Sequence, residues 1–158
     1  MTEIERIQDQ LQRAHHGGAW HGPALNELLA DLTPEQAAAH PLPNAHSIWE
    51  LVNHIVTWET VVLRRISGEA VDSREITDEF NFPSADEASA AAWRDAQQRL
   101  DESAAALHAK LAELSDNQLN DNVPNRQRTI YFELHGAIQH ALYHAGQIAL
   151  LKKAASVS

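Results

Sequence analysis

Apolar side chains recur every three or four residues over four long stretches of the chain, the spacing that puts them on one face of a helix. In the first stretch, for example, Ile4, Ile7 and Leu11 share such a face. Two shorter segments, "PALNELLADL" and "TPEQ", lie between the first and second stretches and also favour helix. The pattern therefore predicts four main helices, over residues 2–16, 47–66, 84–114 and 129–153.

Local signals at the start of these stretches support the prediction. Thr2 with Glu5, and Ser47 with Glu50, have the spacing of a capping box. In that motif the two side chains bind backbone amides that the first helical turn leaves free. Ser84 precedes the third stretch and is predicted to cap it. These residues predict where three of the four helices begin.

The segments between the main stretches lack helical spacing. Residues 69–83 end at a proline and are interpreted as a loop, and residues 116–128 form a second long connection. No segment alternates apolar and polar residues as a strand does, and "QRTIYF" at 127–132 is the one place for a short strand. The sequence predicts an all-α fold, a four-helix bundle with long crossover connections, in a single domain over residues 1–158.

Composition narrows the classes of function. The chain has 22 Asp and Glu against 12 Lys and Arg, a formal net charge of −10, which argues against a nucleic acid partner. No window is apolar enough to span a membrane. The N-terminus is acidic and amphipathic, unlike a signal peptide, so a cytoplasmic location is expected. Cysteine is absent, which excludes disulfides, thiolate metal sites and a cysteine nucleophile.

Histidine is the unusual residue, with ten in the chain. His140 and His144 lie one helical turn apart on an apolar stripe, so two imidazoles can bind one ion from one face of the last helix. A third ligand must come from another helix, and His54, in the middle of the second stretch, is the candidate. Three neutral imidazoles leave a coordination position open, which is the layout of a catalytic metal site.

Two further residues are candidates for the surroundings of this site. Gln147 follows His144 by one turn and can orient its ring as a hydrogen-bond acceptor. His21, in "GAWHGP", belongs to a glycine-rich loop that can line the site. His46 is interpreted as a local turn residue, and Gly146 as a point of close approach between helices.

The competing explanation is that these histidines are hydrogen-bonded core residues. It is favoured for His54 alone, but three unpaired imidazoles are costly to bury together, so metal binding is preferred for the set. A carboxylate-bridged di-iron bundle is excluded because its Glu-x-x-His pairs are absent. A phosphate-cradling glycine loop and the G-x-S-x-G motif are absent as well.

Several segments resemble the DinB-like superfamily, which includes metal-dependent hydrolases of the YfiT type. The likeness runs in the same order over nearly the whole chain, and the paired histidine segments are its most specific part. The segments that carry it are "WHGP" (20–23), "HSIWELVNHIVTWE" (46–59), "RRISGE" (64–69), the helix with Trp93, and "HGAIQHALYHAGQIALLKKA" (135–154).

The resemblance implies a four-helix bundle, commonly homodimeric, with a divalent metal held by three histidines near the bundle surface. The ligands of the family match His54, His140 and His144, and zinc and nickel are the metals usually associated with it. Characterised relatives use low-molecular-weight thiols such as bacillithiol or mycothiol, which they transfer to electrophiles or use to assist an isomerisation. The resemblance therefore implies a thiol S-transferase, whose metal lowers the pKa of the thiol.

Two alternatives remain open at this point. The same site can ionise water and act as a hydrolase. Alternatively, the histidines can hold a metal that only stabilises a non-catalytic, dimeric scaffold. The missing cysteine agrees with an external thiol but does not establish one. Apolar faces on the second and third main helices, together with the resemblance, predict a symmetric homodimer.

Overall fold

The computed structural model describes residues 1–84 and 88–155 and is 68% helical. The predicted all-α fold is therefore confirmed. The helices in chain order are α1 (Glu3–His16), α2 (Leu25–Leu29), α3 (Pro34–Ala38), α4 (Ile48–Ile66), α5 (Asp78–Asn81), α6 (Ala90–Ala112) and α7 (Ile130–Ala155), with 3-10 turns at Ser73–Glu75 and Asp116–Asn120.

The four long helices α1, α4, α6 and α7 form the bundle. Helix α4 packs against both α6 and α7, and α1 packs against the same two helices. The apolar faces predicted from the sequence meet between them, because burying apolar surface is the main favourable term in folding. Trp49 of α4 and Trp93 of α6 pack in this core with their ring centroids 5.0 Å apart. Because α4 and α7 are neighbours, the two histidine-bearing helices lie side by side.

Both predicted capping boxes form. Glu5 N donates to Thr2 Oγ1 at 3.2 Å, and Thr2 N donates to Glu5 Oε2 at 2.7 Å. At the start of α4, Glu50 N donates to Ser47 Oγ at 3.1 Å, and Ser47 N donates to Glu50 Oε2 at 2.8 Å. These bonds satisfy amides that a helix start otherwise leaves unpaired. The start of α4, and with it the position of His54, is thus fixed locally.

The predicted start of the third main helix is wrong by several residues. Helix α6 begins at Ala90, and Ser89 rather than Ser84 is its cap, because Ala92 N donates to Ser89 Oγ at 3.2 Å. Residues 85–87, which the prediction included in this helix, lie outside the described residues. Both serines are good cap formers, and local sequence does not distinguish between them.

The segment interpreted as a loop contains a short helix. Thr77 caps α5, since Phe80 N donates to Thr77 Oγ1 at 3.2 Å, and α5 ends at Asn81. Near 127–132 the structure has only an isolated antiparallel bridge between Asn122 and Thr129. Helix α5 packs against α4, so it brings the end of this connection to the histidine-bearing part of the bundle.

Gly146 does not mark a close approach between helices. A Cβ built on it would meet no atom within 4 Å, apart from its neighbours and its own helix backbone, so the interpretation is wrong for the isolated chain. Within the part of the chain that the structure describes, no helix is both long and apolar enough to cross a bilayer.

Candidate metal centre

The structure brings the three predicted histidines together. His54 comes from the middle of α4, and His140 and His144 come from successive turns of α7. One ring nitrogen from each lies within 4.8 Å of the others. The Nε2 atom of His140 is 2.9 Å from that of His54 and 3.0 Å from that of His144. The described residues contain no other group of three or more His, Asp or Glu side chains this close together.

The outer nitrogens of two rings are held by hydrogen bonds. His54 Nδ1–H donates to the Asn81 carbonyl oxygen at 2.6 Å, and His144 Nδ1–H donates to Gln147 Oε1 at 2.6 Å. A proton on Nδ1 of a neutral imidazole leaves a lone pair on Nε2. In His54 and His144 these lone pairs therefore point to the inside of the cluster.

The three inner nitrogens cannot satisfy one another. His140 Nε2 carries at most one proton, and it faces two lone pairs, so at most one of the two short contacts can be a well-aligned hydrogen bond and the other has no proton directed between its nitrogens. A cation between them gives all three nitrogens a partner. Two imidazole ligands of a tetrahedral zinc lie about 3.3 Å apart, given zinc–nitrogen distances of about 2.0–2.1 Å. The observed separations of 2.9 and 3.0 Å are close to that value, so the residues fit a divalent ion.

Burial keeps the cluster uncharged. Loss of hydration, together with a smaller effect of neighbouring imidazoles, lowers the pKa of His54 to about 4 and that of His140 to about 3, although the bond to the Asn81 carbonyl opposes the shift of His54. Burial also lowers the pKa of His144, although the bond to Gln147 opposes the shift. Neutral imidazole is the form that binds metal, because protonation removes the lone pair. At neutral pH all three rings are thus in the ligand form.

The end of α5 supports the His54 ring. Phe82 stacks on it with a centroid distance of 4.0 Å and an interplanar angle of 3°, and the other face of Phe82 stacks on His46 at 3.7 Å. Trp58 Nε1–H donates to Asn81 Oδ1 at 2.8 Å. This bond holds Asn81 in place, and the Asn81 carbonyl oxygen accepts the hydrogen bond from His54. His54 is therefore held both in its ring plane and on its stacked face.

Two cavities flank the cluster. The larger, of about 460 Å³, has His144 and Gln147 in its wall, and the smaller, of about 160 Å³, has His140 in its wall. The smaller also contains the ion pair between Arg65 Nη1 and Glu133 Oε2, which are 2.9 Å apart. His144 and His140 thus each border a cavity, and these two cavities give small molecules a way to the cluster.

Comparison with known proteins assigns the family. The sequence model of the DinB superfamily matches residues 19–148, which include all three histidines. The chain belongs to the DinB superfamily. None of the curated proteins matches it. A crystal structure described as that of a conserved protein from Enterococcus faecalis aligns with 100% of this chain and 99% of its own, with a TM-score of 0.74 and 19% sequence identity. That likeness shows that the two share a fold.

The other residues that the sequence analysis of this DinB-superfamily chain considered lie at different distances from the cluster. Gln147 lies at the cluster and contacts His144. His21 does not lie at the cluster, because it lines a separate surface pocket with Pro23 and Lys153. His46, interpreted as a turn residue, instead stacks against Phe82 and lines the larger cavity.

Sequence reasoning missed Asn81 and Phe82 because residues 69–83 show no periodicity. A cap signal was nevertheless present: Thr77 is followed by two acidic residues, the composition of a helix start. Recognising it would have predicted a helical turn before Pro83. It would not have predicted that the turn lies against His54, because that contact joins residues 27 positions apart in the chain.

Metal-free protein is expected to lose stability as the pH falls from about 6.5 towards 4. The unfolded chain takes up protons near the usual histidine pKa of about 6.5, whereas His54 and His140 resist protonation until about pH 4 and 3. The unfolded state therefore binds more protons in this range, and the free energy of unfolding decreases. Each histidine takes up at most one proton, so its contribution to the slope cannot exceed about 1.4 kcal/mol per pH unit.

Urea unfolding at several pH values measures this slope, with His140→Asn as the comparison. The variant lacks one of the three histidines whose pKa is lowered, so its free energy of unfolding should change less with pH. Equal slopes for the two proteins between pH 4 and 6.5 would show that burial does not lower the pKa of His140.

Proposed function

We propose that this protein is a metal-dependent enzyme that binds zinc or nickel through His54, His140 and His144 and transfers a low-molecular-weight thiol to an electrophilic substrate. The observation that carries the proposal is the meeting of three neutral imidazoles whose Nε2 atoms cannot all be paired by hydrogen bonds to one another and are spaced to bind one cation. Membership of the DinB superfamily supports it. A cytoplasmic location stays a prediction.

The arrangement suits catalysis better than a purely structural role. Structural zinc sites are closed by four protein ligands, whereas three ligands leave a position for a reactant. The cavities on both sides of the cluster give access to that position. A divalent ion held there would supply Lewis acidity, which lowers the pKa of a thiol or of water. The chain has no cysteine, so a reacting thiol has to be an external one. The resemblance to the DinB superfamily suggests the bacillithiol or mycothiol type.

The experiment combines metal analysis with a screen of thiols. Elemental analysis of the purified protein identifies the bound metal, and the protein reloaded with zinc or nickel is then incubated with individual thiols and a generic electrophile. Metal-dependent loss of one thiol supports the proposal. Metal-dependent ester hydrolysis without any thiol would replace it with a hydrolase. A protein that unfolds on chelation and has neither activity would replace it with a scaffold.

Replacing Gln147 with alanine is expected to weaken metal binding by about 10–100-fold, the usual effect of losing a partner behind a ligand. The change removes the acceptor of the His144 Nδ1 proton, so the ring is free to rotate and to change tautomer. Competition with a chromophoric chelator measures the affinity. Gln147→Glu keeps an acceptor and should retain most of it, and Gln139→Ala, at an exposed site on the same helix, is the control. Equal affinity of Gln147→Ala and wild type would contradict this role.

We also propose that the protein forms a two-fold symmetric homodimer. The apolar face of α4 packs within the chain, so the support comes from elsewhere: Tyr131 and Phe132, at the start of α7, expose large aromatic side chains. A stable interface should bury at least about 1,000 Å². Light scattering is expected to give twice the chain mass of 17.5 kDa, and a mass that stays at one chain up to high concentration would refute the dimer.

A further inference from the structure

The lining of the larger cavity beside the cluster comes from four parts of the fold. One wall is the connection between α3 and α4, another is Phe82 after α5, and the third is the last half of α7, while α4 contributes Leu51. His144 and Gln147 lie in the third wall, so the cavity opens directly onto one of the three histidines. Its volume of about 460 Å³ is within the range of small-molecule sites.

The lining of this cavity has no Lys, Arg, Asp or Glu among the described residues. Its polar members are Asn44, His46, His144 and Gln147, and the last two are hydrogen-bonded to each other. The cavity on the other side of the cluster differs, because Arg65, Arg128 and Glu133 line it. A charged ligand group would lose its hydration in the larger cavity without gaining a partner of opposite charge.

Exposed apolar side chains surround the entrance. Leu42, Tyr143 and Leu150 have 43%, 67% and 64% of their surface exposed and line the same cavity. Leu51 and Leu151 continue the apolar surface inward and are buried. A group of exposed apolar residues at a concave surface is typical of a ligand-binding site.

We propose that this cavity binds an uncharged alkyl or aryl part of the substrate and so selects apolar electrophiles. The identity of the occupant as substrate rests on the proposed function, whereas binding of apolar groups depends only on the lining. An alkyl or aryl group in the cavity reaches the wall formed by His144, with the reactive part of the molecule next to the histidines. Charged substituents are excluded from this side.

The test uses metal-free, full-length protein and the neutral fluorescent probe N-phenyl-1-naphthylamine, which is displaced by a series of small ligands. Binding of 1-butanol, 1-hexanol and 1-octanol is expected to tighten about fourfold for each added methylene, the effect of burying that group. Hexanoate and hexylamine, which have a similar length but a charge, should bind at least tenfold more weakly than 1-hexanol. Equal binding of charged and neutral ligands would overturn the proposal.

Two variants locate the binding site. Leu150→Lys places a charge at the entrance, on an exposed position that tolerates it, and should weaken 1-hexanol binding by tenfold or more. Leu42→Lys tests the opposite side of the entrance in the same way. Trp20→Lys is the control, since Trp20 is fully exposed in a different pocket that contains Asp9 and Arg13. The proposal would be overturned if Leu150→Lys and Trp20→Lys lost equal amounts of 1-hexanol affinity. It would also be overturned if wild type bound no probe that the ligands displace.

Metal content is measured on each protein as purified, before the metal is removed, and mass is measured on the metal-free samples, so that the two proposals fail separately. Protein that binds 1-hexanol selectively but retains no metal refutes the proposed function and leaves the cavity assignment intact. Protein that retains metal but does not prefer neutral ligands refutes the cavity assignment alone. Probe binding that declines as light scattering shows a dimer forming would mean that a second copy covers the cavity, which also overturns it.

Discussion

Replacing His144 with alanine is expected to abolish metal retention while the fold survives. The change removes one of three ligands, so the loss of affinity should exceed the roughly 10–100-fold that follows from losing a partner behind a ligand. The helices should remain, because the core consists of apolar side chains from all four long helices. Loss of the His144 imidazole also leaves a single contact, between His140 Nε2 and His54 Nε2, which one proton can turn into a hydrogen bond.

The measurement pairs metal content with circular dichroism, for wild type and variant, with and without chelator. His135→Ala is the matched control, because His135 lies on the same helix next to Tyr131 and outside the cluster. The control should keep both its metal and its helix content. Wild type that unfolds when chelated would indicate a structural metal, since such metals supply the folding energy themselves. His144→Ala protein that keeps its metal would disprove the assignment of this ligand.

Replacing Glu133 with leucine is expected to lower the free energy of unfolding by about 3–5 kcal/mol, the usual cost of leaving one charge of a buried pair alone. The Arg65 and Glu133 side chains are only 3% and 4% exposed and join α4 to α7 beside the cluster. The Arg65 guanidinium also lies over the Trp58 ring, 5.7 Å from its centroid. Without Glu133 this cation has no partner of opposite charge at hydrogen-bonding distance among the residues that the structure describes.

Urea unfolding provides the free energies. The double variant Arg65→Met with Glu133→Leu should recover most of the loss, because two apolar side chains replace both charges and neither is left unpaired. Glu75→Gln is the control: it weakens the exposed pair with Arg64, the residue next to Arg65, and should have a much smaller effect. If the double variant is no more stable than Glu133→Leu, the cost comes from altered packing and the explanation by an unpaired charge is wrong.

Local sequence signals determined the four long helices of this protein, apart from the start of α6, and the pairing of two of its three clustered histidines. Helical period and capping depend on residues three or four positions apart, so the boundaries of α1 and α4 and the placing of His140 next to His144 are local properties. The position of His54 on the buried side of α4 also follows from its place among apolar neighbours. His54 meets His140 and His144 when α4 and α7 pack side by side.

The surroundings of the cluster depend on tertiary structure. The Asn81 carbonyl oxygen, the Phe82 ring and the Arg65–Glu133 pair each join segments 27 or more residues apart in the chain. No periodicity predicts such contacts, because they depend on how a connection folds back onto the bundle. The same holds for His46, which a local reading assigns to a turn and the fold brings against Phe82. The sequence thus determined which side chains can bind a metal, and the packing of α5 and α7 on α4 decided how these side chains are oriented and what kind of cavity adjoins them.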